Sequence, residues 1–98
     1  MNPLVWSASA TLFLFGLAAL ILRRELLAMF LGLELMVLAA VLALGETAAR
    51  LGDSEGFVAV LLILAIAAAE AVVGLTLILR VHWSGRPPET EALRELKG

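Results

Sequence analysis

Three apolar blocks, each about as long as a lipid bilayer is thick, constrain this chain more than any other feature of it. Residues 4–22 contain no charged side chain, residues 26–45 contain only Glu34, and residues 57–79 contain only Glu70. The blocks run 19 to 23 residues; at about 1.5 Å per residue, a helix of that length crosses a hydrocarbon core of roughly 30 Å. Backbone exposed to lipid must satisfy its hydrogen bonds within its own segment. Isolated spans of this kind are therefore helices, and the period-two alternation of barrel strands is absent. A soluble domain of 98 residues would not carry 62% hydrophobic residues and a mean hydropathy of +1.04. The expectation is an all-α integral membrane protein. It is one membrane domain over 1–98, with helices at about 4–22, 26–45 and 57–79 and a tail at 80–98.

The first block does not read as a cleaved signal peptide, because Met1 to Leu22 has no positive charge and Arg23-Arg24 follows the apolar run instead of preceding it. Basic residues near span ends set topology. Arg23 and Arg24 in the first connection, and Arg80, Arg86, Arg94 and Lys97 after the third block, fall on one side. The second connection, 46–56, offers only Arg50 against Glu46, Asp53 and Glu55. The N-terminus is therefore expected outside and the C-terminus in the cytoplasm. Trp6 and Trp83 read as interfacial anchors. With no cysteine, disulfides and thiolate chemistry are excluded. No phosphate loop, metal-ligand spacing or nucleophile–base pair is evident, and no nucleic-acid partner is expected.

The chemistry lies in the two acids. Glu34 is ten residues after Arg24 and Glu70 ten residues before Arg80, so both lie roughly 15 Å below the same interface, near mid-membrane. An ionised carboxylate in lipid costs roughly 2.5–3.5 kcal/mol on insertion scales, and intramembrane acids usually mark ion or substrate paths. A carboxyl removed from water and set near another acid favours its neutral form, and releases the proton when water or a cation approaches. That is relay behaviour. Two-carboxylate catalysis needs a polar pocket, and the chain has no other groups to line one. A protonated acid that merely bonds a neighbouring helix is the bland alternative.

Small residues flank Glu70 (Ala67, Ala69, Ala71 and Gly74), which suggests a tight helix–helix seam there; the same-face neighbours of Glu34, namely Phe30, Leu31, Val37 and Leu38, are large. Gly32 is open to ordinary packing or to close approach. Three helices cannot shelter two mid-membrane carboxylates from lipid on every side, so partner chains are implied. Arg23, Arg24 and Glu25 read as a solvated turn, or as groups that help a proton enter or hold a neighbour. His82 reads as an interface residue.

The segments "RRELLAMFLGLELM" at 23–36, "AIAAAEAVVGLTLIL" at 65–79 and "LRELKG" at 93–98 carry a family resemblance. Over nearly its whole length the chain resembles the NuoK family, the small three-helix membrane subunits of proton-pumping NADH:quinone oxidoreductase, respiratory complex I. The resemblance implies that Glu34 and Glu70 match the family's intramembrane acids on the proton path and that Arg23 and Arg24 match its cytoplasmic basic pair. It implies no cofactor in this chain. Quinone, NADH, flavin and iron–sulfur centres are expected in partner subunits, with antiporter-like and quinone-site subunits of the membrane arm as neighbours in a bacterial inner membrane. The family commonly carries asparagines in a pattern like E-L-M-x-N-A-x-N, where this chain has Leu38 and Val41.

The rival readings are the equivalent small subunit of a cation/proton antiporter or membrane-bound hydrogenase, an ATP-synthase rotor subunit, and a purely structural assembly subunit. The rotor resembles a two-helix hairpin with one acid, which three spans and two acids argue against.

Overall fold

A computed structural model of the chain describes residues 2–84. The tail segment 85–98, with Arg86, Arg94, Lys97 and the "LRELKG" ending, lies outside the described residues. The chain forms three helices, α1 (Pro3–Leu22), α2 (Leu26–Leu51) and α3 (Ser54–Trp83), all long and apolar enough to cross a membrane.

Each boundary has a local cause. Asn2 caps α1, its side chain accepting from the Leu4 N–H, and Pro3 occupies the first turn, where its missing donor costs nothing. At the other end Arg23 takes an extended conformation. Only Arg23, Arg24 and Glu25 separate α1 from α2, so the two helices fold back as neighbours.

The second connection is much shorter than the apolar blocks suggest. Residues 46–51, "ETAARL", continue α2, because alanine, arginine, leucine and glutamate all favour helix whether or not the segment is apolar. What stops α2 is Gly52, in the left-handed region at φ 62°, a conformation that glycine adopts without strain. Asp53 then caps α3 by accepting from the Glu55 N–H. The turn consists of Gly52 and Asp53 alone. At 26 and 30 residues, α2 and α3 are roughly 39 and 45 Å long. Both exceed a hydrocarbon core, so they tilt or extend into the headgroup zones.

α2 is central, packing extensively on α1 and less so on α3. Its backbone comes against that of α1 where Gly16 meets Gly32. A β-carbon on Gly32 would lie 2.6 Å from the Gly16 carbonyl oxygen and 2.9 Å from both the Ala19 Cβ and the Leu20 amide nitrogen. Small residues let backbones meet, and membrane helices associate through such van der Waals contact. Two turns further along, the buried Ser9 hydroxyl donates to the Ala39 carbonyl at 2.6 Å. At the far end the Trp6 indole N–H donates to Glu46 Oε2 at 2.8 Å, and the Asn2 N–H donates to Oε1 at 3.1 Å.

Against α3 the contacts are Leu26 with Val81 and Ile78 at one end, the Phe30 ring in the space left by Gly74, and Ala48 against Gly56 at the other. Few residues are buried by the chain itself. Phe15, Leu61, Leu62 and Val72 are all more than 60% exposed, an apolar surface suited to lipid and neighbouring helices.

Candidate functional site

The α2–α3 packing sets the position of the two acids. The Phe30 ring fills the notch at Gly74, its Cε2 atom 2.5 Å from where a β-carbon would stand. One turn on from Phe30 along α2 is Glu34, and one turn back from Gly74 along α3 is Glu70. Because the helices are antiparallel, these steps run the same way through the molecule and arrive at one level. The two glutamates accordingly line a single groove of about 450 Å³, with Phe30, Leu33, Ala69, Val73 and Gly74 as its remaining walls.

Glu34 is half-buried and Glu70 exposed. Among the described residues neither carboxylate takes part in an ion pair or a side-chain hydrogen bond; the one ion pair present is Arg50–Glu46, at 4.0 Å. Two acids facing one groove within an otherwise apolar span form a site that can hold and exchange protons. Its open side requires cover from another chain, because a carboxyl left against lipid is costly.

Within this chain the space beside Gly74 is taken by Phe30, and Glu70 lies outside that contact on an exposed side of α3, open to a helix of a partner chain. The large residues around Glu34 and the small ones around Glu70 are thus the two halves of one contact. Gly32 makes its close approach to α1, on another side of α2 from the acids.

A family model described as NADH-ubiquinone/plastoquinone oxidoreductase chain 4L matches residues 4–98. The chain belongs to this family. It is also similar to NADH-quinone oxidoreductase subunit K of Gluconacetobacter diazotrophicus, with 43% identity over 91 residues, which covers 92% of this chain and 88% of the relative. With its three apolar helices, the family membership makes it an integral membrane subunit of NADH:quinone oxidoreductase, with other subunits of that complex as its partners.

Within this family member, Arg23 and Arg24 are both exposed in the α1–α2 turn, at the end of the molecule that also carries Arg80. Of the positions where the family commonly has asparagine, Leu38 is 48% exposed and Val41 half-buried. Glu25 and His82, at the start of α2 and the end of α3, line a second groove together.

The residue that sequence reasoning passed over is Glu46. Taken as part of a loop, it is instead the acceptor that ties the first turn of α1 to the last turns of α2, with its side chain 11% exposed. Trp6 is therefore a bonded residue as well as an interfacial one. With Gly16 opposite Gly32, antiparallel pairing carries Asn2 to the level of Glu46, and Trp6, one turn further into α1, reaches it with its long indole side chain.

Proposed function

We propose that Glu34 and Glu70 relay protons laterally at mid-membrane, coupled to quinone reduction in other subunits of the complex. The observation that carries this reading is their placement at one level in one groove between α2 and α3. Each carboxyl takes a proton from one neighbour and gives it to another, and the groove is wide enough to admit water between them. The other walls of the groove are apolar, so the two carboxyls are the groups there through which a proton passes when water or a polar group of an adjoining chain enters it.

In this reading the N-terminus lies outside and the C-terminus in the cytoplasm of a bacterial inner membrane, with the basic side chains at the cytoplasmic face. Arg23 and Arg24 serve as the cytoplasmic basic pair. Antiporter-like and quinone-site subunits flank the chain and cover the open side of the groove. NADH, flavin, iron–sulfur centres and quinone are handled by those and other partners, and this chain alone catalyses no reaction.

The test is quinone-driven proton pumping by the complex in proteoliposomes, with Glu34→Gln, Glu70→Gln and the double variant compared at equal subunit content. Each single variant is expected to lower pumping more than it lowers assembly, with non-additive effects in the double. An unchanged proton-to-electron ratio in the double variant would reject the relay and leave the chain an assembly subunit.

A further inference from the structure

On one flank of the α2–α3 contact, an apolar groove of about 250 Å³ lies toward the arginine-bearing end of the molecule. Each helix supplies part of its wall: Leu20 from α1, Leu26, Met29 and Leu33 from α2, and Leu77 and Ile78 from α3. From Leu26 to Leu33 is seven residues, about 10 Å along the helix. Every residue lining it is apolar. The packed side chains of Leu26, Val81 and Ile78 separate it from Glu25 and His82, which line a groove on the opposite flank.

The end of this groove nearer the membrane surface is cationic. Leu20 and Leu26, both in its wall, bracket the turn that carries Arg23 and Arg24. Arg80 follows Leu77 by three residues, one turn nearer the same end on that flank of α3. All three arginines are exposed. Among the described residues the one ion pair is Arg50–Glu46, so none of the three has a carboxylate partner there. Glu25, the acid next to the arginine turn, belongs to the opposite groove.

We propose that the groove holds one acyl chain of an anionic phospholipid, whose phosphate is bound by Arg23, Arg24 and Arg80. The proposal goes beyond the relay reading and does not rest on it. Guanidinium groups bind phosphate through paired, charge-assisted hydrogen bonds, and basic pockets between membrane helices hold anionic headgroups. A phospholipid lies in its leaflet with the phosphate at the surface and its chains toward the midplane. The arginines and the groove follow one another in that order.

Size and charge argue against other occupants. One turn of a partner helix, 5.4 Å long and about 10 Å across, encloses roughly 420 Å³, more than the whole groove, whereas a chain of methylenes is slender enough to lie along it. A quinone tail is equally apolar but brings no negative charge to three unpaired arginines. A zwitterionic lipid brings a cation along with its phosphate.

The experiment uses the assembled complex in lipid vesicles containing phosphatidylglycerol or phosphatidylcholine with a diazirine on one acyl chain. After irradiation, adducts are mapped by peptide mass spectrometry. Phosphatidylglycerol is expected to label segments 20–33 and 74–78, which hold the groove's walls, several-fold more than phosphatidylcholine does at equal mole fraction. Unlabelled phosphatidylglycerol should compete, and unlabelled phosphatidylcholine should not. Arg80→Gln should lower the labelling roughly fivefold, and adding Arg23→Gln and Arg24→Gln should bring it to the phosphatidylcholine level. Leu77→Trp, which fills the groove, should lower labelling with the arginines intact.

Equal labelling by the two lipids makes the groove an ordinary lipid-facing surface and overturns the proposal. Absence of label from both segments, as when a partner subunit's side chains fill the groove, overturns it too. The competition measurement needs only the unaltered complex, so arginine variants that fail to assemble leave the test decisive.

Discussion

Replacing glycine by alanine at three positions tests the helix packing directly, because the same chemical change has a different outcome at each. At Gly32 the new methyl would meet the Gly16 carbonyl oxygen at 2.6 Å and Ala19 Cβ and Leu20 N at 2.9 Å. None of these atoms is the free end of a flexible side chain. Moving from 2.6 Å to an ordinary contact near 3.4 Å means that α1 and α2 separate by about 0.8 Å, which loosens every contact along the pair.

Overpacking of this kind costs about 1–3 kcal/mol, offset by up to about 1 kcal/mol of helix propensity. The expected net loss is about 1–2 kcal/mol. At Gly45 a β-carbon meets nothing within 4 Å in the chain, so only the propensity acts, and the variant is neutral or gains up to about 1 kcal/mol. The two variants should therefore differ by about 1–3 kcal/mol, roughly five- to 150-fold in an equilibrium constant. Retention of the chain in the solubilised complex, followed against temperature at equal expression, reads this difference. If Gly32→Ala is retained as well as Gly45→Ala, the backbones of α1 and α2 do not meet at Gly16–Gly32 and the packing described above is wrong.

Gly74→Ala is the third member of the series. Its methyl meets the Phe30 ring at 2.5 Å, a side chain that can rotate away, so assembly should survive while the displaced ring alters the Glu34–Glu70 groove and lowers the proton-to-electron ratio of the reconstituted complex. Trp6→Phe removes the 2.8 Å bond to the Glu46 carboxylate, one of two that tie the start of α1 to α2, and should be read as earlier thermal release of the chain. Ser9→Ala, which loses the bond to the Ala39 carbonyl, should cost about 0.6 kcal/mol and at most about 1.7, the range for interhelical bonds in membranes. Gly52→Ala forces a β-carbon into the left-handed region at φ 62° and should destabilise the α2–α3 turn by about 1–2 kcal/mol, visible in the same release assay.

The number of spans, their helical character and the common depth of the two acids follow from the amino-acid sequence alone. In lipid each segment must satisfy its own backbone and match a fixed thickness, so the length of an uncharged run is nearly a structural statement in itself. The depths of Glu34 and Glu70 need only a count from Arg24 and Arg80. Helix ends beyond the apolar runs were less legible. Residues 46–51 are polar enough to look like a loop, yet their intrinsic propensity and the stop at Gly52 carry α2 six residues past its apolar block.

Which side of each helix meets which neighbour was decided only in three dimensions. A helix that is apolar all round shows no stripe to mark its buried face, and lipid is as good a partner for leucine as another helix is. Shape then decides: Gly16 fits Gly32, and Phe30 fits the notch at Gly74. The second of these fits places Glu34 and Glu70 in one groove, with Glu70 on its open side. The same antiparallel register brings Glu25 and His82 to one groove at the arginine-bearing end.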